Sequence, residues 1–287
     1  MGDGGLAASP LAFGCWRLTD PTRADALVHT AVDHGLTLID TADVYGLDFG
    51  GTGFGSAEEL LGRVLAADPG LRDRIVLATK GGIDPGVPYD SSPAYLRAAC
   101  EASLGRLGVE TVDLYQVHRI DLFTHPEEVA GALADLRQEG KIREVGLSNT
   151  TPAQVDALQA FLPFPLVTVQ PELSCLDLRP LRDGTLDQCL RSGLVPLAYS
   201  PLGGGRLATG DAPTALLDVL DRLAGREGVD RAAVALAWVL AHPSRPVPIV
   251  GTQTPERLVA ATRALGVRLD RTDVYAVLEA AQGEPLP

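Results

Sequence analysis

Eight times along its 287 residues the chain passes from a short apolar run to a longer amphipathic stretch, and this repeat restricts the fold more than any other feature. The apolar runs are "LAFGCWRL", "LTLID", "IVLATK", "VDLYQVH", "IREVGLSN", "LVTVQ", "LVPLAYS" and "VPIVGT". The stretches that follow them have helical patterns: Pro21 to Gly35, "SAEELLGRVLAA", "SPAYLRAACEASLGRLG", "HPEEVAGALADLRQEG", "TPAQVDALQAFL", Leu181 to Arg191, the pair Ala215 to Arg226 and Arg231 to Ala241, and "PERLVAATRALG". The runs are apolar on both faces, as strands of a parallel sheet covered by helices must be. Gly35, Gly108, Gly140, Gly193 and Gly266 close helices, and proline or Ser/Thr opens several others. No charge run, low-complexity tract or linker divides the chain. Eight such units in this length predict a single α/β domain over residues 1–287, a (β/α)8 TIM barrel. The alternative is a doubly wound open sheet.

Charge excludes some function classes. With 24 Lys+Arg against 37 Asp+Glu the formal net charge is -13. A nucleic-acid surface needs clustered cations, so none is expected. No run approaches the roughly 18 apolar residues of a membrane span. The N-terminal "MGDGGLAASPLAFG" has neither a basic start nor a long apolar run, and Leu6 stands where an acylation signal needs Ser or Thr. The expected location is therefore cytoplasmic. Cys15, Cys100, Cys175 and Cys189 are scattered, with no CxxC pair, and read as reduced, mostly buried thiols.

In such a barrel the active site lies at the C-terminal ends of the strands. The polar residues ending the apolar runs are Asp40 with Tyr45 just beyond it, Lys80, His118, Ser148 and Asn149, Gln170, Tyr199 and Ser200, and Thr252. Singly, each has a bland reading. An Asp after a strand is usually a helix cap or turn former. A strand-end Lys is usually solvated, and a strand-end His is a satisfied structural residue about half the time. Their joint placement at successive strand ends argues for a site. The glycines of "GLDFGGTGFG", Gly46 to Gly55, do not match a dinucleotide fingerprint or a phosphate loop. They predict a mobile loop at the mouth, with the chemistry in Asp40 and Tyr45.

The same segments resemble the aldo-keto reductase family, and the resemblance covers nearly the whole chain in the family's order. "IDTADVYG" is similar to its strand-two signature, "LATKGG" to its lysine strand and "DLYQVHR" to its histidine strand. "GKIREVGLSNTTPAQ", "VTVQPELS", "PLAYSPLGGGRL" and "IVGTQTPERL" resemble its cofactor-binding segments, and "GCWRL" the segment that sets a Trp beside the substrate. By position, the resemblance implies Asp40, Tyr45, Lys80 and His118 as the catalytic four. It implies Ser148, Asn149 and Gln170 on the nicotinamide amide and Tyr199 stacked on its ring. Ser200, Leu202, Gly251 and Thr252 fall in the other cofactor segments. Arg257 matches a cation near the adenosine 2′-phosphate, which implies NADPH, with NADH usable. Gly251 stands where many members carry a lysine, so the implied preference is smaller. Trp16 and Arg119 are the expected substrate contacts. No metal is expected, and the implied partner is a small carbonyl substrate, taken by a monomer or weak homo-oligomer.

The implied reaction suits these residues. Hydride reaches a carbonyl carbon and a proton must reach its oxygen. A phenol has a pKa of about 10, and a neighbouring ammonium lowers it. Tyr45 is thus expected as acid, Lys80 as its tuner, Asp40 as the anchor of Lys80, and His118 as the group orienting the carbonyl oxygen. Two other readings remain at this level. Lys80 could form a Schiff base in an aldolase, or the barrel could be a cofactor-sensing subunit with slow chemistry.

Overall fold

Eight parallel strands form where the apolar runs lie: β1 (Ala12–Gly14), β2 (Leu38–Asp40), β3 (Val76–Gly81), β4 (Val112–Val117), β5 (Ile142–Ser148), β6 (Thr168–Gln170), β7 (Val195–Ala198) and β8 (Val247–Val250). They pair in chain order, and β8 returns to β1 to close the barrel. The chain is therefore a (β/α)8 barrel. The structure is a computed structural model that describes residues 8–286. The first seven residues of the N-terminal segment, with Leu6, lie outside that range.

The helices are α1 (Ala24–Asp33), α2 (Ser56–Ala67), α3 (Pro93–Leu107), α4 (Pro126–Gln138), α5 (Pro152–Gln159), α6 (Thr185–Ser192), α7 (Arg206–Thr209), α8 (Thr214–Glu227), α9 (Arg231–Leu240), α10 (Pro255–Thr262) and α11 (Arg271–Gln282). Their ends follow local chemistry. Ser92 caps α3 by accepting from the Tyr95 amide, and Thr151 closes a reciprocal capping box with Gln154 on α5. Gly35, Gly108, Gly140 and Gly193 take positive φ at helix ends, where a side chain would be strained. Gly266 departs from the expectation: it ends a 3-10 turn, Arg263–Gly266, without a left-handed backbone.

Strand alternation divides the core in two. Inward residues Leu38, Ala78, Leu114, Leu197 and Ile249 fill the barrel interior. Outward residues Phe13, Ile39, Leu77, Val117, Val145 and Leu147 pack under the helices. Burial of each large apolar side chain is worth about 1.5–3 kcal/mol, and these two layers hold the barrel shut. One step above the inner layer, the same inward parity places Asp40, Lys80, Gln116, Ser148 and Gln170 at the C-terminal mouth, all of them buried. No helix among the described residues is long and apolar enough to cross a membrane.

Candidate active site

Lys80 has no exposed surface, and each of its three ammonium hydrogens is used. Nζ donates to Asp40 Oδ2 at 2.7 Å, to the Thr41 carbonyl at 2.8 Å and to Tyr45 Oη at 3.1 Å. Register produces this hub. Asp40 pairs with Ala78 across β2 and β3, so the Lys80 side chain, two residues on and on the same face, reaches back over Asp40. The second carboxylate oxygen of Asp40 accepts from Gln170 Nε2 at 2.9 Å and, at 3.4 Å, from Gln116 Nε2. Gln116 escaped the sequence reading, although its place two residues before His118 gives it the same inward parity.

Charge states follow from burial and neighbours. Burial works against the Lys80 ammonium, but Asp40 and Tyr45 together outweigh it and hold the lysine above its ordinary value. Burial likewise pushes the Tyr45 phenol up to about 12. Lys80 lowers it, as expected, but does not win: desolvation is the larger effect, and Asp40 partly cancels the ammonium. Tyr45 therefore keeps its proton at neutral pH. Burial drives His118 well below the usual histidine range, helped by the Lys80 and Arg119 charges. Its ring is neutral and stands edge-on to Tyr45, centroids 5.8 Å apart. His118 Nδ1 is buried without a partner among the described residues. The structure thus brings Asp40, Tyr45, Lys80 and His118 together at one point of the mouth.

A second group forms on β5 to β7. Asn149, at φ 55°, donates from Nδ2 to Ser148 Oγ at 2.9 Å and to the His118 carbonyl at 3.3 Å, and its Oδ1 accepts from Tyr199 Oη at 2.9 Å. Ser148 Oγ donates to the Gln170 carbonyl at 3.1 Å. Ser200 also has a left-handed backbone (φ 48°), followed by Leu202 and three positive-φ glycines, Gly203 to Gly205. At the end of β8, Gly251 and Thr252 are partly exposed and the Thr254 amide donates to Thr252 Oγ1 at 3.3 Å. The next residue, Gln253, escaped the sequence reading; its Nε2 is buried without a partner among the described residues. Arg257 is exposed in the first turn of α10, and among the described residues its side chain has no hydrogen bond or ion pair. Arg119 is partly exposed beside His118.

The glycine-rich loop lies over the mouth, tied at its tip. Trp16 meets the Phe49 ring edge-on at 4.8 Å, the Arg17 guanidinium sits 4.7 Å over the same ring, and Thr19 Oγ1 donates to the Phe49 carbonyl at 3.1 Å. Arg17 also donates to the Gly204 carbonyl at 3.1 Å, which joins the loop to the glycines after β7. The loop's proximity to Trp16 motivates a prediction. An edge-on aromatic pair is worth about 0.5–1.5 kcal/mol, or roughly two- to tenfold in an equilibrium. Phe49→Ala should shift the ranking of substrates by such factors and leave cofactor affinity nearly unchanged. A substrate panel beside a cofactor fluorescence titration checks this, and the opposite pattern would reject it.

Comparison with known proteins shows the family. The aldo/keto reductase family model matches residues 10–282. A 6-dehydroglucose reductase of Novosphingobium aromaticivorans is 50% identical, covering 100% of this chain and 96% of its own length. A 6-dehydroglucose reductase of Agrobacterium fabrum is 36% identical, covering 97% of this chain and 96% of its own. A thermostable aldo-keto reductase, crystallised with the inhibitor epalrestat, superimposes with a TM-score of 0.84 at 27% identity, covering 98% of both chains.

Proposed function

Because the chain belongs to the aldo/keto reductase family, we propose that it is an NAD(P)H-dependent carbonyl reductase in which Tyr45 gives the proton to the carbonyl oxygen. The observation that carries this reading is the Lys80 hub, which joins an anchored ammonium directly to the phenol of Tyr45. Tyr45 reaches the reaction protonated. As negative charge grows on the carbonyl oxygen, its proton moves there, and the remaining phenolate lies beside the Lys80 ammonium. Asp40 holds that ammonium in place. Neutral His118 orients the carbonyl oxygen by hydrogen bonding without giving up a proton.

The residues present suit a nicotinamide dinucleotide. Gln253 Nε2 and Thr150 Oγ1 are buried polar groups with no partner among the described residues. The N-terminus of α10 has no side-chain cap, and its positive dipole end suits an anion. We assign Ser148, Asn149 and Gln170 to the nicotinamide amide, Tyr199 to its ring, and Ser200, Leu202, Gly251, Thr252 and Arg257 to the rest of the cofactor. When bound, the cofactor supplies the hydride. A Schiff-base aldolase is not supported: an imine-forming lysine must first lose its proton, and Lys80 is held charged with every donor spent.

Two relatives are named 6-dehydroglucose reductases, so the first substrate to test is the aldehyde of an oxidised hexose, with Trp16 and Arg119 lining its pocket. We place the enzyme in the cytoplasm, as one domain acting on a small molecule. The test is cofactor oxidation with a panel of aldehydes and ketones that includes 6-dehydroglucose. A panel that oxidises neither NADPH nor NADH would withdraw the reading in favour of a cofactor-sensing subunit.

Arg257 yields a prediction for cofactor choice. One charge-assisted contact to a phosphate is worth about 1.5–3 kcal/mol, so NADPH should be preferred about ten- to a hundredfold. Arg257→Ala should raise the KM for NADPH and leave that for NADH nearly unchanged. Equal losses for both cofactors would place Arg257 away from the phosphate.

A further inference from the structure

Behind the catalytic group, between β3 and helices α2 and α3, lies a polar layer where an apolar interface is the rule. Strand alternation turns Thr79 away from the Lys80 side, and its hydroxyl bonds Glu58 Oε1 on α2. Glu58, with no exposed surface, receives Arg106 of α3 on Oε2, from Nε at 2.8 Å. Arg106 Nη2 reaches Ser103 Oγ at 3.2 Å. Into this layer the Tyr45 segment sends Asp43. Asp43 is fully buried, and among the described residues both of its carboxyl oxygens lack a hydrogen-bond partner. Its carboxyl group has no exposed surface.

The charges do not balance if Asp43 is ionised. Lys80 is fully spent on Asp40, the Thr41 carbonyl and Tyr45. Arg106 is engaged by Glu58. Three buried carboxyls, Asp40, Asp43 and Glu58, face two cations, and Asp43 is the one without a partner. An isolated buried carboxylate is costly, and the usual relief is to keep the proton. The groups acting on it are Glu58 from α2, Arg106 from α3 and Lys80 from β3, and Asp43 in turn acts on Tyr95 of α3 and Tyr115 of β4. Burial, then Glu58, push its pKa up to about 8; Arg106, the adjacent Val44 amide, whose geometry falls short of a hydrogen bond, and Lys80 pull it down without offsetting them. The Tyr115 hydroxyl lies against Gly81, at the point an added Cβ would occupy.

We propose that Asp43 is a positioning residue: as a neutral acid it seats the segment carrying Tyr45, and loss of its proton unseats that segment. The segment depends on its seat. The Asp43 amide donates to the Lys80 carbonyl at 3.0 Å, the Tyr45 amide to the Ala42 carbonyl at 3.2 Å and the Ala57 amide to the Tyr45 carbonyl at 3.3 Å. A negative charge inside the layer must draw in water or pull Arg106 from Glu58. Either displaces the backbone two residues before the phenol.

The activity consequence rests on the carbonyl-reductase reading; the protonation does not, so two measurements separate them. The first is turnover against pH for the wild type and for Asp43→Asn, which mimics the neutral acid. Wild-type turnover should fall about tenfold per pH unit above about pH 8, as expected for loss of one essential proton. Asp43→Asn should stay within about threefold of wild type at pH 7 and lack that fall. Tyr45 at about 12 is too high to cause it. The second is folding stability against pH. The folded chain keeps a proton on Asp43 that the unfolded chain releases near pH 4. Between about pH 4 and 8 the wild type should therefore lose stability relative to Asp43→Asn, up to about tenfold in the folding constant per pH unit. A stability difference constant over that range would overturn the protonation. An alkaline fall that persists in Asp43→Asn, with the stability trend present, would overturn the positioning role. If neither protein reduces any carbonyl while the stability trend holds, the functional reading fails and the neutral Asp43 stands.

Discussion

Replacing Tyr45 with phenylalanine should leave the barrel folded and cut carbonyl reduction by at least about 10²–10⁴-fold, the usual worth of a general acid. The ring and its packing are retained, and only the hydroxyl that meets Lys80 Nζ at 3.1 Å is lost. Cofactor affinity should persist, because the assigned nicotinamide contacts lie on β5 to β7. Lys80→Met should also slow turnover, since without the ammonium the burial that lifts Tyr45 to about 12 goes unopposed. The two losses should not add, because Lys80 acts largely through the phenol. A double-mutant cycle under single-turnover conditions measures this. Additive losses, or near-normal hydride transfer by Tyr45→Phe, would remove the phenol from the reaction.

The second large effect is on stability. Asp40→Ala strips the paired carboxylate from a lysine with no exposed surface, and leaves Gln170 Nε2 without its acceptor at 2.9 Å. Breaking a buried pair by removing one partner typically costs about 3–5 kcal/mol, because the other charge stays buried and unpaired. In a chain of this size that lowers Tm by on the order of 10 °C. Adding Lys80→Met removes the orphaned charge, so the double variant should melt above Asp40→Ala while remaining inactive. Calorimetry of the three variants decides it. A loss for Asp40→Ala no larger than about 0.5 kcal/mol, the range of ordinary surface changes, would mean that the pair does not hold this part of the barrel.

The motif "IDTADVYG" shows how far the sequence can be read. Asp40 ends a short apolar run, and strand alternation with inward parity places it at the mouth. Asp43 and Tyr45 follow in a turn with no period, so no rule of spacing says which way either points. The structure sends Asp43 outward under α2 and α3, and Tyr45 back to Lys80. Gln116 was readable in principle, two residues before His118 on one face. Gln253 was not, because a glutamine after a strand is unremarkable until its amide proves to be buried and unpartnered.

The sequence by itself determined the barrel, since eight doubly apolar runs separated by capped helices have few other ways to bury both faces, and with it the strand ends at which the polar residues converge. Only the tertiary structure decided their charge states and partnerships. A pKa depends on the number of neighbours and on the water they exclude, and those neighbours come from strands and helices up to 130 positions apart, as in the bond from Gln170 to Asp40. Hence the ammonium beside Tyr45 could be anticipated, but not that burial would outweigh it, nor that the third buried carboxyl, Asp43, would be left without a cation.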